Sequence, residues 1–278
     1  MHRRCSQVAL DLISELLERR TGLTFHGERR ERLETHVANI CADRALNGAE
    51  QLSALLHGRD VQGRALFAQL VEEATVNHTA FFREMGGFSH LDDLLPRLAD
   101  EPEVRVWSAA SATGEELYTL VILLAERVGF AELRDRWRFL GTDINPSVVA
   151  RAERGIYSQE RAMGVPAELR ARYFEDVGQA RYRISAQVRS LCTFRQFNLT
   201  RAPYPFKRGF HLVFCRNILY YFGHSVQERV LTSIHAATDR RGWLVTGVSE
   251  TIEQLETPWV RRGMCLYSRS GDVEEGVG

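Results

Sequence analysis

Two stretches decide the fold of this chain: residues 104–118, Val-Arg-Val-Trp-Ser-Ala-Ala-Ser-Ala-Thr-Gly-Glu-Glu-Leu-Tyr, and residues 138–143, Arg-Phe-Leu-Gly-Thr-Asp. The first begins with a short apolar run typical of a buried strand. It then opens into a small-residue loop over 108–114 and continues as an apolar-periodic helix over 115–128. The second stretch predicts a strand that stops at Asp143. A strand, a loop that lets backbone approach a ligand, a helix and a strand ending in an acid together outline a nucleotide or nucleoside site.

The loop favours a nucleoside without phosphates. Gly114 is its only glycine, so the glycine-rich pattern that binds a pyrophosphate is absent. S-adenosylmethionine is the common nucleoside of this kind. Asp143 is expected to bind the ribose, with capping of the next helix as the alternative. Asn145-Pro146 already supplies a cap and a proline at the first helical position, which leaves Asp143 available.

Composition is that of a soluble globular protein. Hydrophobic residues make up 44% and charged residues 26% of the 278 residues, enough for one large domain or for a domain of about 200 residues plus a small one. No apolar run approaches the roughly 18 residues of a membrane span, and the first residues do not form a signal peptide. A formal net charge of zero argues against nucleic-acid binding. The five scattered cysteines predict buried thiols in a reducing cytoplasm, with no disulfide and no metal site.

Apolar periodicity predicts a small all-helical N-terminal domain, followed by a doubly wound, Rossmann-like α/β domain with a small antiparallel β-subdomain inserted. No strand signal precedes Val104, and beyond it strands and helices alternate. The expected boundaries are a helical domain over 1–75, a linker with a connecting helix (Met85 to Leu98) over 76–100, an α/β domain over 101–270 with the β-subdomain at about 175–196, and a flexible tail over 271–278.

Two further segments carry polar residues in positions that suit a site. Residues 77–84, Asn-His-Thr-Ala-Phe-Phe-Arg-Glu, precede the α/β part, and residues 215–222, Cys-Arg-Asn-Ile-Leu-Tyr-Tyr-Phe, leave the end of a buried strand. Open α/β sheets bind ligands at that edge. The alternative is structural: helix caps and core aromatic residues for the first segment, an arginine ion pair and core tyrosines for the second.

Taken together, these segments resemble the bacterial chemotaxis receptor methyltransferases, the CheR family. The resemblance runs in family order over residues 6–268. Its pieces are Asn-x-Thr-x-Phe-Phe-Arg-Glu (77–84), Val-Trp-Ser-Ala (106–109), Ala-Thr-Gly-Glu-Glu (112–116), Thr-Asp-Ile-Asn (142–145), Gly-Ile-Tyr (155–157), Arg-Tyr-Phe (172–174), Phe-Asn-Leu (197–199), Phe-Cys-Arg-Asn-Ile-Leu-x-Tyr-Phe (214–222) and Ser-Glu (249–250).

The resemblance implies binding of S-adenosylmethionine, with S-adenosylhomocysteine as product, by a defined set of residues: Asn77, Thr79, Arg83, Glu116, Asp143, Asn198, Leu199, Arg216 and Asn217. Within that set, Asp143 is expected at the ribose diol, Asn198 at the adenine edge and Glu116 at the amino group of the methionine moiety. Arg83 faces either the methionine carboxylate or the substrate carboxylate, and both options stay open. Tyr221 matches the tyrosine that the family places beside the transferred methyl, with packing as the alternative, so Arg83 and Tyr221 are the expected catalytic residues.

The resemblance also implies the reaction, methylation of glutamate side chains in the cytoplasmic methylation region of a chemoreceptor to γ-methyl esters. The enzyme is expected to be a cytoplasmic monomer that binds no nucleic acid and does not insert into the membrane. The alternatives are a non-catalytic S-adenosylmethionine sensor or scaffold and a carboxyl methyltransferase for another substrate.

Three details depart from the family or bear on its partner. The usual Gly-His-Ser-Glu is Gly-Val-Ser-Glu here, at 247–250. The loop at 176–180 is short and has one glycine, whereas family members that dock on a receptor's C-terminal pentapeptide carry a longer, glycine-richer loop, so a pentapeptide-independent enzyme is expected. Residues 1–75, the domain expected to dock on the receptor, hold 10 Arg and 11 acidic residues and create no broad positive field. A local face of Arg29, Arg30 and Arg32 either contacts the receptor or is simply solvated.

Overall fold

The computed structural model describes residues 6–58, 60–75 and 79–269. The chain divides into two compact units, one of residues 1–76 with Tyr221–Gly223, the other of residues 77–220 and 224–278. The tail expected over 271–278 lies outside the described residues. Among the described residues, no helix combines the length and the apolar character needed to cross a bilayer.

The first unit is helical, as the sequence predicts. It contains α1 (Gln7–Thr21), α2 (Glu28–Asp43), α3 (Ala49–His57) and α4 (Val61–Ala74). The Ser6 side chain caps α1 by accepting a hydrogen bond from the N–H of Ala9, and Gly22 ends the helix in the left-handed conformation at φ 76°. Apolar residues at helical spacing form the core of this unit, among them Leu10, Ile13, Leu17, Leu33, Val37, Ile40, Leu52, Leu56 and Leu70.

The second unit alternates strands and helices. Its elements in chain order are α5 (Leu91–Leu94), β1 (Val104–Ala109), α6 (Glu115–Arg136), β2 (Trp137–Asp143), α7 (Pro146–Arg154), β3 (Ile156–Ser158), α8 (Gln159–Met163), α9 (Ala167–Tyr173), β4 (Phe174–Asp176), β5 (Arg181–Ile184), α10 (Ala186–Arg189), β6 (Cys192–Gln196), β7 (Phe210–Cys215), α11 (His224–Ala237), β8 (Thr238–Thr246), β9 (Trp259–Gly263) and β10 (Leu266–Arg269).

The main sheet has seven strands in the order β6-β2-β1-β7-β8-β10-β9. The first five are parallel, whereas β10 runs antiparallel to both β8 and β9. Strands β1 and β7 are buried almost along their whole length, as expected for parallel strands covered on both faces. The doubly wound α/β domain inferred from the sequence is confirmed.

The small antiparallel sheet exists, but the expected range of 175–196 is wrong at both ends. The sheet consists of β3, β5 and β4 in that order, so it starts near residue 156 and ends at Ile184. Residues 186–189 form α10, and β6 pairs in parallel with β2 at the edge of the main sheet. Short β-prone runs look alike in sequence, and only the pairing partner distinguishes an inserted hairpin from a sheet edge.

The connecting helix expected from Met85 to Leu98 is also wrong. The segment forms a 3-10 turn at Met85–Phe88, the single turn α5, and another 3-10 turn at Pro96–Leu98. Two neighbouring glycines weaken its start, and Pro96 interrupts its end.

Strand β9, which the sequence interpretation missed, carries the polar pair Arg261-Arg262 on a sheet edge, where apolar alternation is not required.

The glycine inside β2 marks a close approach between neighbouring strands. A Cβ at Gly141 would lie 2.5 Å from Cδ1 of Phe194 and 2.9 Å from Oγ of Ser111. Phe194 is buried on β6, so its ring cannot move aside without opening the core. The missing side chain therefore lets β6 and the loop after β1 close over β2.

We expect Gly141→Ala to lower the free energy of unfolding by about 1–3 kcal/mol, because the added methyl group overpacks this contact. Urea unfolding followed by circular dichroism measures the change. Gly86→Ala is the matched control, since a Cβ there has no atom within 4 Å. Equal stability of the two variants would contradict the packing account.

Candidate functional site

Four strand ends meet at one level of the main sheet. Ala109 at the end of β1 is in register with Thr142 of β2 and with Cys215 of β7, and Asp143 is in register with Gln196 of β6. The chain leaves β1 toward β2 on one side, while β7 lies on the other, so the strand order reverses at β1. A crevice outside the carboxyl ends of the strands at such a reversal is where open α/β sheets bind ligands.

The loop over 110–114 is held in an unfavourable backbone conformation. Ala110 and Ala112 have positive φ values of 60° and 47°, and Gly114 has φ 93°. Such values cost a non-glycine residue about 1–3 kcal/mol and persist where surrounding contacts fix them. Here the Ser111 N–H donates to the Thr142 carbonyl at 2.8 Å, and the Gly114 N–H donates to Ser111 at 2.9 Å. The loop is thus fixed against the end of β2.

Asp143 ties this loop to its own strand. One carboxylate oxygen accepts from the Ala112 N–H at 3.0 Å and the other from the Asn145 N–H at 2.9 Å. The Asn145 side chain caps α7 through the Ser147 N–H, as the sequence predicts. Asp143 is therefore not the helix cap, yet it is less available than expected. An ionised carboxylate has about four acceptor sites, so its backbone donors leave room for a further hydrogen bond, such as one from a ribose hydroxyl.

Burial shapes the acidity of Asp143. The side chain is 7% exposed, and this desolvation raises the pKa to about 6, although hydrogen bonds from the backbone N–H groups of Asn145, Ala112 and Ile144 oppose the shift. The carboxylate is ionised at neutral pH but close enough to its pKa to be protonated in mild acid.

Arg216, directly after β7, is the most connected side chain of the site. Only 2% of the side chain is exposed. Its Nη1 donates to Glu116 at 3.1 Å, and its Nη2 donates to the carbonyls of Arg83 at 3.1 Å and Glu84 at 2.9 Å. The guanidinium also lies 4.8 Å from the ring centre of Phe88. Among the described residues, no group accepts from its Nε.

Glu116 and Asn217 are held by the same contacts. The second oxygen of Glu116 accepts from Ser108 Oγ at 2.8 Å, so its carboxylate is fixed between β1 and β7. Asn217 has a positive φ of 59° and donates from Nδ2 to Glu84 at 3.0 Å. These two predicted site residues and Arg216 therefore lie together.

Glu84 is a site residue that the sequence interpretation did not single out. It has a positive φ of 48°, and its carboxylate accepts from Asn217 and from the Val248 N–H at 3.3 Å. Burial acts to raise its pKa, but these hydrogen bonds and the charges of Arg216 and Arg83 outweigh that effect and lower it. Its sequence signal was its place as the last residue of the segment 77–84.

Glu250 is a second site residue that the sequence interpretation did not single out. Its contacts explain why the replacement of the family's histidine by Val248 leaves the site intact. Its carboxylate accepts from the N–H groups of Asn217 at 2.6 Å, Leu219 at 2.7 Å and Gly247 at 3.0 Å. Burial raises its pKa, and these backbone donors oppose the rise. Val248, in place of the family's histidine, contributes its backbone N–H while its side chain is 48% exposed.

Asn198 and Leu199 follow β6, beside an aromatic cluster. The Asn198 side chain accepts from the N–H and hydroxyl of Thr200, and the Leu199 carbonyl accepts from the Tyr204 hydroxyl at 2.6 Å. Tyr204 packs edge-on against Trp107 of β1. These contacts hold the segment against β1, and contact of Asn198 with an adenine edge stays a prediction.

The remaining predicted residues are less well connected to this arrangement. Thr79 is half-buried, and Asn77 lies outside the described residues. The Arg83 side chain is 28% exposed, with its Nε 3.5 Å from a carboxylate oxygen of Glu84. Tyr221 belongs to the first unit, where its carbonyl accepts from the Thr24 N–H at 2.9 Å and the Arg29 guanidinium lies 4.3 Å from its ring centre. Its place beside a transferred methyl stays a prediction.

The fold and the polar groups at its carboxyl edge define a nucleoside-binding α/β protein. The family described as "CheR methyltransferase, SAM binding domain" matches residues 77–263. The chain is 30% identical over 263 residues to the chemotaxis protein methyltransferase of Escherichia coli, covering 94% of this chain and 90% of that protein. It is 36% identical over 204 residues to chemotaxis protein methyltransferase 2 of Pseudomonas aeruginosa, covering 71% of each. The chain belongs to the CheR methyltransferase family, and its cofactor is S-adenosylmethionine.

The residues present fit that cofactor. Asp143 keeps acceptor capacity beyond its backbone donors, and the buried Ser111 hydroxyl has no partner among the described residues. The loop between them is built of small residues, which lets a nucleoside approach the backbone. The terminal nitrogens Nη1 and Nη2 of Arg216, by contrast, donate to protein groups, which suits a role in fixing Glu116.

We expect the dissociation constant for S-adenosylmethionine to rise as the pH falls below about 6, by up to about tenfold per pH unit, because the ribose hydroxyls need the ionised form of Asp143 as acceptor. Isothermal titration calorimetry between pH 5 and 7.5 measures this dependence. Asp143→Asn should bind more weakly at neutral pH and lose most of the pH dependence. An unchanged pH profile in Asp143→Asn would contradict the ribose assignment.

Proposed function

We propose that this chain transfers the methyl group of S-adenosylmethionine to glutamate side chains in the cytoplasmic methylation region of a chemoreceptor, giving γ-methyl esters. The main support for this proposal is how much of the chain is similar to a chemotaxis protein methyltransferase. The alignment with the Escherichia coli chemotaxis protein methyltransferase covers 94% of the chain, and therefore takes in the helical unit as well as the cofactor domain. A shared cofactor domain alone would be compatible with many acceptors, whereas a shared helical unit favours the same class of protein substrate.

The chemistry suits a site without a strong base. A glutamate with a pKa of about 4.3 is already a carboxylate at neutral pH, so no proton has to be removed. One carboxylate oxygen attacks the methyl carbon while the carbon–sulfur bond breaks and its electron pair stays on sulfur. The negative and positive charges neutralise each other, so a partly dry site speeds the step, and alignment of the reacting atoms contributes as much as about 7–11 kcal/mol.

Arg83 is the residue that we propose for orienting a carboxylate. Its side chain is partly exposed, unlike that of Arg216, and its Nε lies near Glu84 at 3.5 Å. The lowered pKa of Glu84 keeps that carboxylate ionised, which holds the guanidinium in place beside it. The carboxylate bound by Arg83 is that of the methionine moiety or of the substrate glutamate.

The helical unit is the proposed contact surface for the receptor. Of its three neighbouring arginines, Arg30 pairs with Asp11, and Arg29 lies over the Tyr221 ring, whereas Arg32 is exposed. An acidic receptor segment would therefore meet a small number of individual arginines on this unit, and no broad positive field.

The test is transfer of tritiated methyl from S-adenosylmethionine to membranes that contain candidate receptors, followed by alkali. We expect label that alkali releases as volatile methanol, because carboxyl methyl esters hydrolyse in base and N-methyl groups do not. Asp143→Asn, assayed at a cofactor concentration near the wild-type dissociation constant, is the control for dependence on this site.

Base-stable label would contradict ester formation. Tight binding of S-adenosylmethionine without any transfer would favour a non-catalytic sensor or scaffold, or a carboxyl methyltransferase for a different substrate.

We further propose that methylation does not depend on a C-terminal receptor pentapeptide. The β4–β5 connection supports this, because it is a tight turn of four residues, 177–180. The Val177 N–H donates to the Arg181 carbonyl at 3.0 Å, and the Gly178 N–H donates to Asp176 at 2.8 Å. Such a closed turn offers little extra backbone for an added strand.

A receptor with its last five residues deleted should be methylated at the same initial rate as the full-length receptor, within about twofold. A tethering peptide acts by raising the effective concentration of the enzyme near its substrate, by about 10²-fold or more. The short turn of this chain offers no binding site for such a peptide. Initial rates with both receptors in matched membranes measure the difference. A rate lower by tenfold or more for the shortened receptor would show that the proposal is wrong.

A further inference from the structure

The two adjacent glutamates at the start of α6 serve different parts of the molecule. Glu116 faces Ser108 and Arg216 at the edge of the main sheet. Glu115 is fully buried, with 0% of its side chain exposed, and faces Arg161 of α8 instead. A buried carboxylate without water is costly unless it is paired and hydrogen-bonded, so the contact with Arg161 is needed to keep Glu115 in place.

Arg161, Glu115 and Thr113 form a closed set of hydrogen bonds. Nη1 of Arg161 donates to a carboxylate oxygen of Glu115 and also to Thr113 Oγ1, at 3.0 Å. The Thr113 hydroxyl donates in turn to the other oxygen of Glu115 at 2.6 Å. Burial raises the pKa of Glu115, and the Thr113 hydroxyl and the Arg161 charge oppose the rise. The three side chains therefore depend on one another.

The partners of Thr113 come from the region of the small sheet. Arg161 lies on α8, which directly follows β3, and the Tyr157 hydroxyl of β3 donates to the Thr113 carbonyl at 2.7 Å. Tyr157 is 4% exposed, so this contact is part of the core. Thr113 is the residue before Gly114 in the strained loop. One side of that loop is held by β2 and Asp143, and the other side by these two residues.

We infer that Arg161 and Glu115 are positioning residues for the cofactor. Their ion pair fixes Thr113 and thereby the conformation of loop 110–114, so that the small sheet and α8 are coupled to S-adenosylmethionine affinity without touching the cofactor. This inference rests on the cofactor lying at that loop, as proposed above.

The chain offers a matched control for the loss of an arginine ion pair. Arg172 of α9 pairs with Glu126 of α6 at 2.7 Å, in the same part of the unit and also from a largely exposed guanidinium. Its partner lies more than two helical turns beyond Glu115 along α6 and accepts from Arg172 and from the Tyr173 hydroxyl. Arg172→Met also removes an arginine partner from a glutamate of α6, here one that is 29% exposed, and leaves the Arg161, Glu115 and Thr113 contacts in place.

The experiment is calorimetric titration of S-adenosylmethionine into wild type, Arg161→Met, Glu115→Gln and Arg172→Met, with a thermal unfolding curve for each. We expect Arg161→Met to raise the dissociation constant about tenfold, the loss of roughly one charge-assisted hydrogen bond, while Arg172→Met stays within twofold. The turnover number of Arg161→Met at saturating cofactor should stay within twofold of wild type. The double variant Glu115→Gln with Arg161→Met should bind no more weakly than Arg161→Met alone, since both act through one pair.

Wild-type affinity in folded Arg161→Met, or an equal loss in Arg172→Met, would overturn the inference and leave the cofactor site standing. If Arg161→Met does not fold, the dissociation constants of Arg161→Lys and Glu115→Gln provide the same test, because both substitutions preserve the size of the side chain. A wild-type chain that binds no S-adenosylmethionine would overturn the cofactor site, and this inference with it.

Discussion

The buried guanidinium of Arg216 joins three parts of the chain that are distant in sequence. From its place directly after β7, it donates to the carboxylate at the start of α6 and to the carbonyls of residues 83–84. Removing one partner from such a buried ionic contact typically costs about 3–5 kcal/mol, because the remaining charges lose their compensation. The place of Arg83 relative to Glu116 therefore depends on this one side chain, and so does the crevice between β1 and β7.

Two acids complete the framework by accepting hydrogen bonds from neighbouring loop residues. Glu250 gathers the N–H groups of three residues, and Glu84 links Asn217 to Val248. These contacts fix the strained residues Glu84 and Asn217, both at positive φ, where a free loop would relax. A methyl transfer that depends on alignment more than on proton transfer gains from such rigidity, because misplacing the reacting atoms loses much of the orientation effect.

Sequence reasoning reached the parts of the molecule that local pattern determines. Buried strands such as β1 and β7 and the cap at Asn145 follow from apolar runs and residue type, and Asp143 follows from its position at a strand end. The roles of Glu84 and Glu250 depend on contacts across more than 30 residues, for which no local pattern exists. The same limit explains β6, whose sequence fits a hairpin as well as a sheet edge until its pairing with β2 is known.

The most direct test of this account is a crystal structure of the chain with S-adenosylhomocysteine bound. We expect the ribose hydroxyls to lie about 3 Å from the carboxylate oxygens of Asp143, a normal hydrogen-bond distance, while Arg216 keeps its contacts with Glu116 and the 83–84 carbonyls. A nucleoside bound away from the ends of β1 and β2, or a ribose without contact to Asp143, would contradict it.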